Sequence, residues 1–255
     1  MKSVTQNLPK CQSCAVRSSA LFGELETHLL DKARALRSCQ NMYSAGEHLY
    51  YEGDTAQKAY TLYDGWVILF KNLENGNRQI LRFALPGDFL CYKIGRNRVM
   101  DHSAIAVSNV TLCAFPIDRF RDTIAELPDL AIAISSISEL TTERCHSSLT
   151  TIASHPAETK VAYLLLSLYV RERSLIMNLG NNGACVPFPI TQEDIGDALG
   201  LTAIHVNRVF QNLRKKNLIE CKNKCLTIPD EEAMAAVAKV NLPYLKTLMV
   251  GAYGT

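Results

Sequence analysis

The chain has 255 residues, of which 47% are hydrophobic and 20% are charged. This composition supplies enough apolar surface for a sizeable core and excludes a chain that is disordered throughout. The formal net charge is only +2, so only local clusters of charge can indicate a polyanionic partner. The chain contains no run of about 18 apolar residues, so no transmembrane helix is predicted. The first residues lack the apolar stretch of a signal peptide. We therefore expect a cytoplasmic protein without a membrane partner.

The N-terminal half of the chain changes from a helical to a strand pattern. Residues 1–20 are polar and predict an arm, and residues 21–38 have leucines at helical spacing. From Cys39 to about Pro116, short apolar and aromatic runs alternate with glycine-containing turns. Asn75-Gly76 is the strongest hairpin signal, because a type I′ turn needs positive φ at both central residues. Such a series of short strands predicts a β-barrel or sandwich of about 80 residues.

A long helical pattern follows Pro116 and ends at His155-Pro156, since a proline disfavours a helical residue before it. Within it, apolar and small polar residues recur at steps of three and four and form a narrow seam. Such a seam fits packing on the chain's own barrel or a helix pair between two protomers. We favour the dimer, because the C-terminal part has a pattern, described below, that usually acts as a symmetric pair. The predicted dimer interface consists of Leu130, Ile134, Ile137, Thr141, Cys145, Ser148 and Ile152.

Residues 191–217 have the pattern of a helix-turn-helix. Thr191 and Asp194 form a capping-box-like start, Gly200 permits a tight turn, and Thr202 can cap the second helix. The apolar side of that second helix consists of Val206, Val209, Phe210 and Leu213. The opposite side is polar, as expected for a helix that contacts something other than its own core.

That polar side has the chemistry of the DNA major groove. Arg208 can donate two hydrogen bonds to guanine, and Asn207 or Gln211 can pair with adenine in the same way. The following stretch, IECKNKCLTI, predicts a β-hairpin with lysines at its tip, which would touch phosphate as a wing. This region is strongly basic, which is what phosphate binding requires. Between residues 202 and 224, only Glu220 opposes Arg208, Arg214, Lys215, Lys216, Lys222 and Lys224.

Several motifs together carry a resemblance to a known family. The strand region contains SAGEHLYYEGD, LYDGWVILF and LPGDFL, and the C-terminal region contains ITQEDIGDALGLTAIHVNRVFQNLRKKNLI. With the long helix between them, the chain resembles the Crp–Fnr family of bacterial transcription regulators over nearly its whole length, and its Fnr/FixK-like branch more than the cAMP-binding members. The resemblance implies an α+β fold: an N-terminal cyclic-nucleotide-binding-like β-roll (jelly roll), a long dimerisation helix and a C-terminal winged helix-turn-helix. The implied domains are an arm (1–20), a sensor β-roll (21–116), a dimerisation helix (117–154) and a DNA-binding domain (155–255).

The resemblance also implies a function. A homodimer would bind a palindromic double-stranded DNA operator and would recruit or block RNA polymerase under control of the sensor. The family's reading positions fall on Ala203, Ile204, Asn207 and Arg208, where Ile204 replaces a common Glu and Asn207 a common Ser or Gly. The target sequence is therefore expected to differ from the best-known half-sites. The predicted DNA-contacting residues are Thr191, Gln192, Thr202, Ala203, Ile204, His205, Asn207, Arg208, Gln211, Lys215, Lys222 and Lys224.

Cyclic nucleotide is the first candidate for the sensed ligand, and the residues disfavour it. Cyclic-nucleotide binders of the family hold the ribose with a Glu and pair the cyclic phosphate with an Arg. In this chain the corresponding positions are Tyr92 and His102. A cyclic phosphate would lack its bidentate partner there, so we do not expect cAMP to bind.

An iron–sulfur cluster is the second candidate. A [4Fe–4S] cluster needs four thiolates, and the candidate set is Cys11, Cys14, Cys91 and Cys113, with Cys39 as a substitute for Cys91. The third arm cysteine of the oxygen-sensing Fnr branch is missing. We therefore favour, over a cluster, an interpretation in which Cys11 and Cys14 form a redox-active or inert pair and Cys113 belongs to the core. Zinc on these cysteines and haem held by histidines have less support, and the cofactor stays unknown.

The nine cysteines are an odd number and a poor disulfide framework for a chain in a reducing compartment. We expect most of them to be small buried hydrophobic residues, and Cys221 and Cys225, on either side of the wing tip, to be structural.

Two rival classes of function compete with a DNA-binding regulator. No nucleophile elbow, P-loop, Rossmann fingerprint or H-E-x-x-H motif occurs, so the sequence does not predict an enzyme. A cyclic-nucleotide- or redox-sensing module without direct DNA binding is the alternative. It would leave the basic run Arg214-Lys215-Lys216 and the wing unexplained.

Overall fold

A computed structural model describes most of the chain and divides it into two compact units. One unit comprises Met1–Asn72 and Leu81–Glu139, and the other comprises Leu73–Ile80 and Leu140–Thr255. Most of the predicted arm and of the predicted helix at 21–38 lies outside the described residues. The described residues are 2–4, 14, 16–21, 23, 30, 35–91, 93, 95, 97–178, 180 and 183–250.

The first unit contains the predicted β-roll except for residues 73–80, which group with the second unit. One sheet has the strand order β1-β2-β9-β4-β7 and the other has the order β3-β8-β5-β6. The central strand β9 pairs antiparallel with β2 and β4, which places Cys113 between Gln40 and Thr61. The strands are β1 (Lys2–Val4), β2 (Cys39–Tyr43), β3 (His48–Tyr50), β4 (Lys58–Asp64), β5 (Val67–Asn72), β6 (Arg78–Ala84), β7 (Phe89–Leu90), β8 (Ser103–Ala106) and β9 (Val110–Pro116).

The hairpin predicted at Asn75-Gly76 joins β5 to β6, but the expected type I′ turn is wrong. Only Gly76 has a positive φ, of 81°, and Asn75 does not. The Gly76 amide donates to the Leu73 carbonyl over 2.9 Å. The loop 73–77 is longer than the two-residue loop of a type I′ hairpin. It can therefore use a type I turn followed by a left-handed glycine.

The helical segment predicted after Pro116 is two helices, α1 (Ile117–Glu126) and α2 (Pro128–Ser154). Leu127 between them has φ −130° and ψ 86°. The cause is Pro128, because a residue that precedes proline is driven out of the helical region while proline itself fits the first helical turn. The expectation of one uninterrupted helix from 117 is therefore wrong.

Helices α1 and α2 complete the core of the β-roll. Phe120 of α1 stacks on Phe89 with ring centroids 5.6 Å apart and meets Phe115 edge-on at 6.1 Å. Leu130 and Ile134 of α2 are buried in the same core, and Ile137 packs against it. The first half of the predicted dimer seam thus contacts the chain's own strands.

The second unit is built around one long buried helix, α3. Its apolar residues, such as Val161, Leu165 and Leu166, are fully buried. A small sheet has the order β10-β12-β11. No helix in the described part of the chain is long and apolar enough to cross a membrane. The elements are α3 (Ala157–Asn178), β10 (Val186–Pro187), α4 (Gln192–Leu199), α5 (Ala203–Lys215), β11 (Glu220–Lys222), β12 (Cys225–Thr227), α6 (Glu231–Ala238) and α7 (Leu242–Val250).

A disulfide joins Cys185, just before β10, to Cys225 at the start of β12. The expectation that the cysteines would not form a disulfide is therefore wrong for this pair. Pairing of the two strands sets Pro187 opposite Cys225, and the Cα atoms of the two cysteines lie 5.8 Å apart, a separation suited to a disulfide. Cys221, on the neighbouring strand β11, keeps a free thiol.

We predict that loss of this disulfide destabilises the second unit. The cross-link spans 40 residues, for which the chain-entropy model gives about 4 kcal/mol of unfolding free energy. Cys185→Ser, or reduction with dithiothreitol, should lower the urea midpoint of the second unit. Cys221→Ser is the matched control, because Cys221 lies on the neighbouring strand β11 and its thiol is free. Equal midpoints for the oxidised, reduced and Cys185→Ser proteins would contradict the prediction.

Candidate nucleic-acid interface

Helix α4 begins in a capping box, as predicted. The Thr191 hydroxyl accepts from the Asp194 amide at 3.1 Å, and the Thr191 amide donates to the Asp194 carboxylate at 2.8 Å. These two bonds satisfy backbone donors that the helix itself leaves without partners. Thr191 is exposed and Gln192 is partly exposed at this end.

The turn between α4 and α5 depends on two glycines. Gly200 ends α4 in the left-handed region, with φ 66° and ψ 37°, where glycine carries no steric cost. Gly196 lies so close to the next segment that an added Cβ would stand 2.5 Å from the Leu201 carbonyl oxygen. Gly200 was predicted from the sequence and Gly196 was not; a glycine inside a short predicted helix was the available signal.

Helix α5 separates into an apolar and a polar side as predicted. Thr202 caps it by accepting from the His205 amide at 3.2 Å. The buried side chains are Val206, Val209, Phe210 and Leu213. The exposed residues on the other side include Ala203, Ile204, His205, Asn207, Arg208 and Gln211.

Two polar side chains on the exposed face of α5 bond to each other. The Gln211 side-chain amide donates to the side-chain carbonyl oxygen of Asn207 at 3.0 Å. This bond holds the two amide groups side by side, and among the described residues the Asn207 NH2 group and the Gln211 side-chain carbonyl oxygen have no further hydrogen-bond partner. Within the part of the chain that the structure describes, Arg208 has no hydrogen-bond or ion-pair partner.

The predicted wing is present as strands β11 and β12. Asn223 and Lys224, with φ of 51° and 57°, form the tip; two successive positive φ angles are typical of a type I′ turn. Lys222 and Lys224 are exposed on either side of Asn223. The lysines therefore project from a short, well-defined hairpin.

The basic residues of this region divide into two groups. Arg214 lies over the Phe210 ring at 5.9 Å and donates to the Cys221 carbonyl at 3.4 Å, so it ties α5 to the wing. Lys216 forms an ion pair with Glu158 of α3 at 2.8 Å. The other group has no ion pair among the described residues and is exposed: Arg208, Lys215, Lys222 and Lys224.

In the β-roll, His102 occupies the position of the family's phosphate-binding arginine and bonds to polar neighbours in its own unit. The His102 ring contacts the Tyr50 hydroxyl at 2.9 Å and the Asp101 carboxylate at 3.2 Å. Burial lowers the pKa of His102, which favours a neutral ring near pH 7. The Lys93 ammonium, 2.8 Å from Asp101, donates a hydrogen bond that lowers the pKa of this carboxyl group to about 2. Tyr92, the other departure from the cyclic-nucleotide pattern, lies outside the described residues.

The candidate cluster ligands do not form a ligand set in the described part of the chain. Cys91 is buried, with its sulfur 3.5 Å from that of Met100, and burial raises the pKa of its thiol to about 12. The Cys113 sulfur accepts from the Gln40 amide at 3.5 Å. Cys14 is partly buried, and Cys11 lies outside the described residues. Among the described residues, no group of three or more His, Cys, Asp or Glu side chains could hold a metal ion, so the described cysteines alone do not supply the four thiolates that a [4Fe–4S] cluster requires.

Two family models match the chain. The model of the Crp-like helix-turn-helix domain matches residues 159–237, which include α4, α5 and the wing. The model of the cyclic nucleotide-binding domain matches residues 40–126, which include most of the β-roll. Each match coincides with one of the two regions described above.

Similarity to individual proteins extends over nearly the whole chain. The nitrogen fixation regulation protein FixK of Bradyrhizobium diazoefficiens is 34% identical over 236 residues, covering 89% of this chain and 93% of FixK. The transcriptional activatory protein AadR of Rhodopseudomonas palustris is 32% identical over 231 residues, covering 90% of this chain and 93% of AadR. The solved structure of FixK2 from Bradyrhizobium japonicum shares the fold, with a TM-score of 0.69 at 20% identity over 78% of this chain and 96% of that one. The chain therefore belongs to the Crp–Fnr family of DNA-binding transcription regulators, which are not enzymes.

Proposed function

We propose that this regulator binds a palindromic double-stranded DNA operator as a homodimer, with α5 of each protomer in the major groove. The observation that carries the proposal is the exposed face of α5, where Arg208 has no partner among the described residues and Asn207 and Gln211 lie side by side. Guanidinium and amide groups are those that pair bidentately with guanine and with adenine. The alternative, a sensing module without DNA contact, gives this face no role.

The wing and the end of α5 supply the contacts to phosphate in this proposal. Lys215, Lys222 and Lys224 are exposed and have no ion pair among the described residues. Each phosphate that they neutralise releases condensed counterions, which favours binding at low salt. Local charge, and not the net charge of +2, then supports binding to a polyanion. Thr191 and Gln192, just before and at the start of α4, are proposed to contact the DNA backbone on the other side of the turn.

Dimerisation is proposed through the second half of α2. Leu130 and Ile134 are already buried in the chain's own core, so they have little surface left for a partner. Further along, Cys145 is exposed, and Leu149, which was not among the predicted interface residues, is 61% exposed. With Ile152 they recur at steps of four and three and lie on one face of the helix. Two copies related by a twofold axis would match the two half-sites of a palindrome.

The remaining parts of the proposal concern control. We propose a sensor β-roll (21–116), a dimerisation segment (117–154) and a DNA-binding domain (155–255), with contact to RNA polymerase as the output. The place of action is the cytoplasm, where bacterial DNA lies. No cofactor is assigned to the β-roll.

We predict that reversing charge on the wing weakens binding to all DNA sequences alike. Lys222→Glu combined with Lys224→Glu should lower affinity for specific and unrelated duplexes. It should also reduce the slope of log K against log salt by about 0.9 for each phosphate that the variant no longer neutralises. The measurement is a salt titration of DNA binding by fluorescence anisotropy. Lys239→Glu, at an exposed site after α6, is the control and should leave the slope unchanged. A double variant with the wild-type slope would place the phosphate contacts elsewhere.

We predict that Arg208→Ala acts on sequence preference. Loss of a bidentate contact with guanine should cost about 1–3 kcal/mol of discrimination against the wrong base, while affinity for an unrelated duplex changes much less. The measurement compares variant and wild type on an operator selected by the wild-type protein and on its single-base substitutions. Equal losses on operator and unrelated DNA would mean that Arg208 contacts phosphate and not a base.

We predict that Leu149→Asp shifts the protein from dimer to monomer in sedimentation velocity. A carboxylate would have to be desolvated in the interface, which is unfavourable without a partner charge. Met177→Asp is the matched control, because Met177 is 52% exposed on a different helix. If the Leu149→Asp protein remains dimeric, the proposed interface is wrong.

A further inference from the structure

One side chain on the DNA-facing side of α5 does not share its polar chemistry. Ile204 is 76% exposed, the largest exposed fraction among the exposed large hydrophobic residues that the structure describes. Its nearest neighbours along the same face are Asn207 and Arg208, three and four residues further on. A large aliphatic side chain in this setting leaves apolar surface in water and adds nothing to the packing of the second unit. Its role is therefore expected in a complex.

The position of Ile204 is fixed by its neighbours in the chain. It is the second residue of α5, directly after a turn held by the Thr202 cap, whose hydroxyl accepts from the His205 amide at 3.2 Å. A β-branched side chain in a helix has one strongly preferred χ1 rotamer. The χ1 preference restricts the Cγ2 methyl group of Ile204 before any ligand binds, although the Cδ1 methyl group still rotates about χ2, and this restriction lowers the entropic cost of a contact.

The chemistry of Ile204 limits what it can recognise on DNA. It has no donor or acceptor, so it cannot bond to a phosphate or to a polar base edge. The thymine 5-methyl group is the apolar group that the natural bases present in the major groove. We infer that Ile204 is a specificity-determining residue that selects a thymine in each half-site through that methyl group. This inference rests on the proposed function, because it requires α5 to lie in the major groove.

The distance to Arg208 places that thymine within the half-site. Four residues of α-helix advance about 6 Å along the axis, and successive bases on one strand advance about 3.4 Å. Ile204 and Arg208 therefore address bases that lie within about two steps of each other. A thymine near the guanine bound by Arg208 is the expected signature of this regulator's operator.

The test removes only the methyl group. The full-length chain first selects its operator from a random duplex library, and each thymine of the half-site is then replaced by deoxyuridine, symmetrically in both halves. For the wild type, replacement at one position should lower affinity about fourfold per half-site, the value for one buried methyl-sized group. For Ile204→Ala the same replacement should have a clearly smaller effect, because the shorter alanine side chain covers less of the methyl group. Because Ile204 is exposed and alanine favours helix, this variant is expected to fold.

Two further variants define the outcome. Ile204→Val keeps a β-branched side chain and should retain part of the thymine preference, whereas Arg208→Ala should retain all of it. If no deoxyuridine replacement distinguishes the wild type from Ile204→Ala, Ile204 does not select thymine, although the operator itself would still support the proposed function. If the chain enriches no duplex from the library, the proposed function and this inference are both overturned.

Discussion

The turn between α4 and α5 is the constraint on which the exposed face of α5 depends. Gly196 lets the Leu201 carbonyl approach to a distance that no Cβ tolerates, and Gly200 adopts a left-handed conformation that closes the turn. Thr202 then fixes the first residue of α5. A slip of one residue in this turn would rotate every α5 side chain by about 100° about the helix axis. Arg208 would then turn away from the exposed face, and a neighbouring residue would take its position. The side chains that the exposed face presents therefore depend on two glycines and one cap.

The same region shows how a nearly neutral protein can carry a basic surface. Arg214 and Lys216 bond within their own unit, to the Cys221 carbonyl and to Glu158. They brace α5 against the wing and α3. The groups without such partners among the described residues lie on the exposed face of α5, at its end and on the wing. The position of charge, more than its amount, therefore decides what this chain can bind.

The parts of the structure that could be predicted from the sequence are those set by local chemistry. The caps at Thr191 and Thr202 and the apolar side of α5 were predicted correctly, because caps and helical periodicity involve residues within four positions of each other. Pairing across the chain provides no such signal. Nine cysteines allow many pairings, so the Cys185–Cys225 disulfide could not be selected. The seam at Leu130 and Ile134 was ambiguous for a related reason, since an apolar stripe has the same spacing whether it covers its own core or a partner. Pro128, by contrast, is a local signal from which the break between α1 and α2 could have been predicted.

The β-roll and the helix-turn-helix show the same separation between fold and specificity. The strands match the cyclic nucleotide-binding domain over residues 40–126, but the side chain in the place of the family's arginine is His102, which bonds to Tyr50 and Asp101 of its own unit. A cyclic phosphate at this place would have to displace those bonds, and burial lowers the pKa of His102, which disfavours the charged ring that would attract an anion. On α5, exposed Ile204 stands where a glutamate is common in the family, which exchanges a hydrogen-bond acceptor for an aliphatic side chain. In each unit the backbone of the family is kept while the side chain at a family binding position differs, so the fold alone specifies neither the ligand of the β-roll nor the operator.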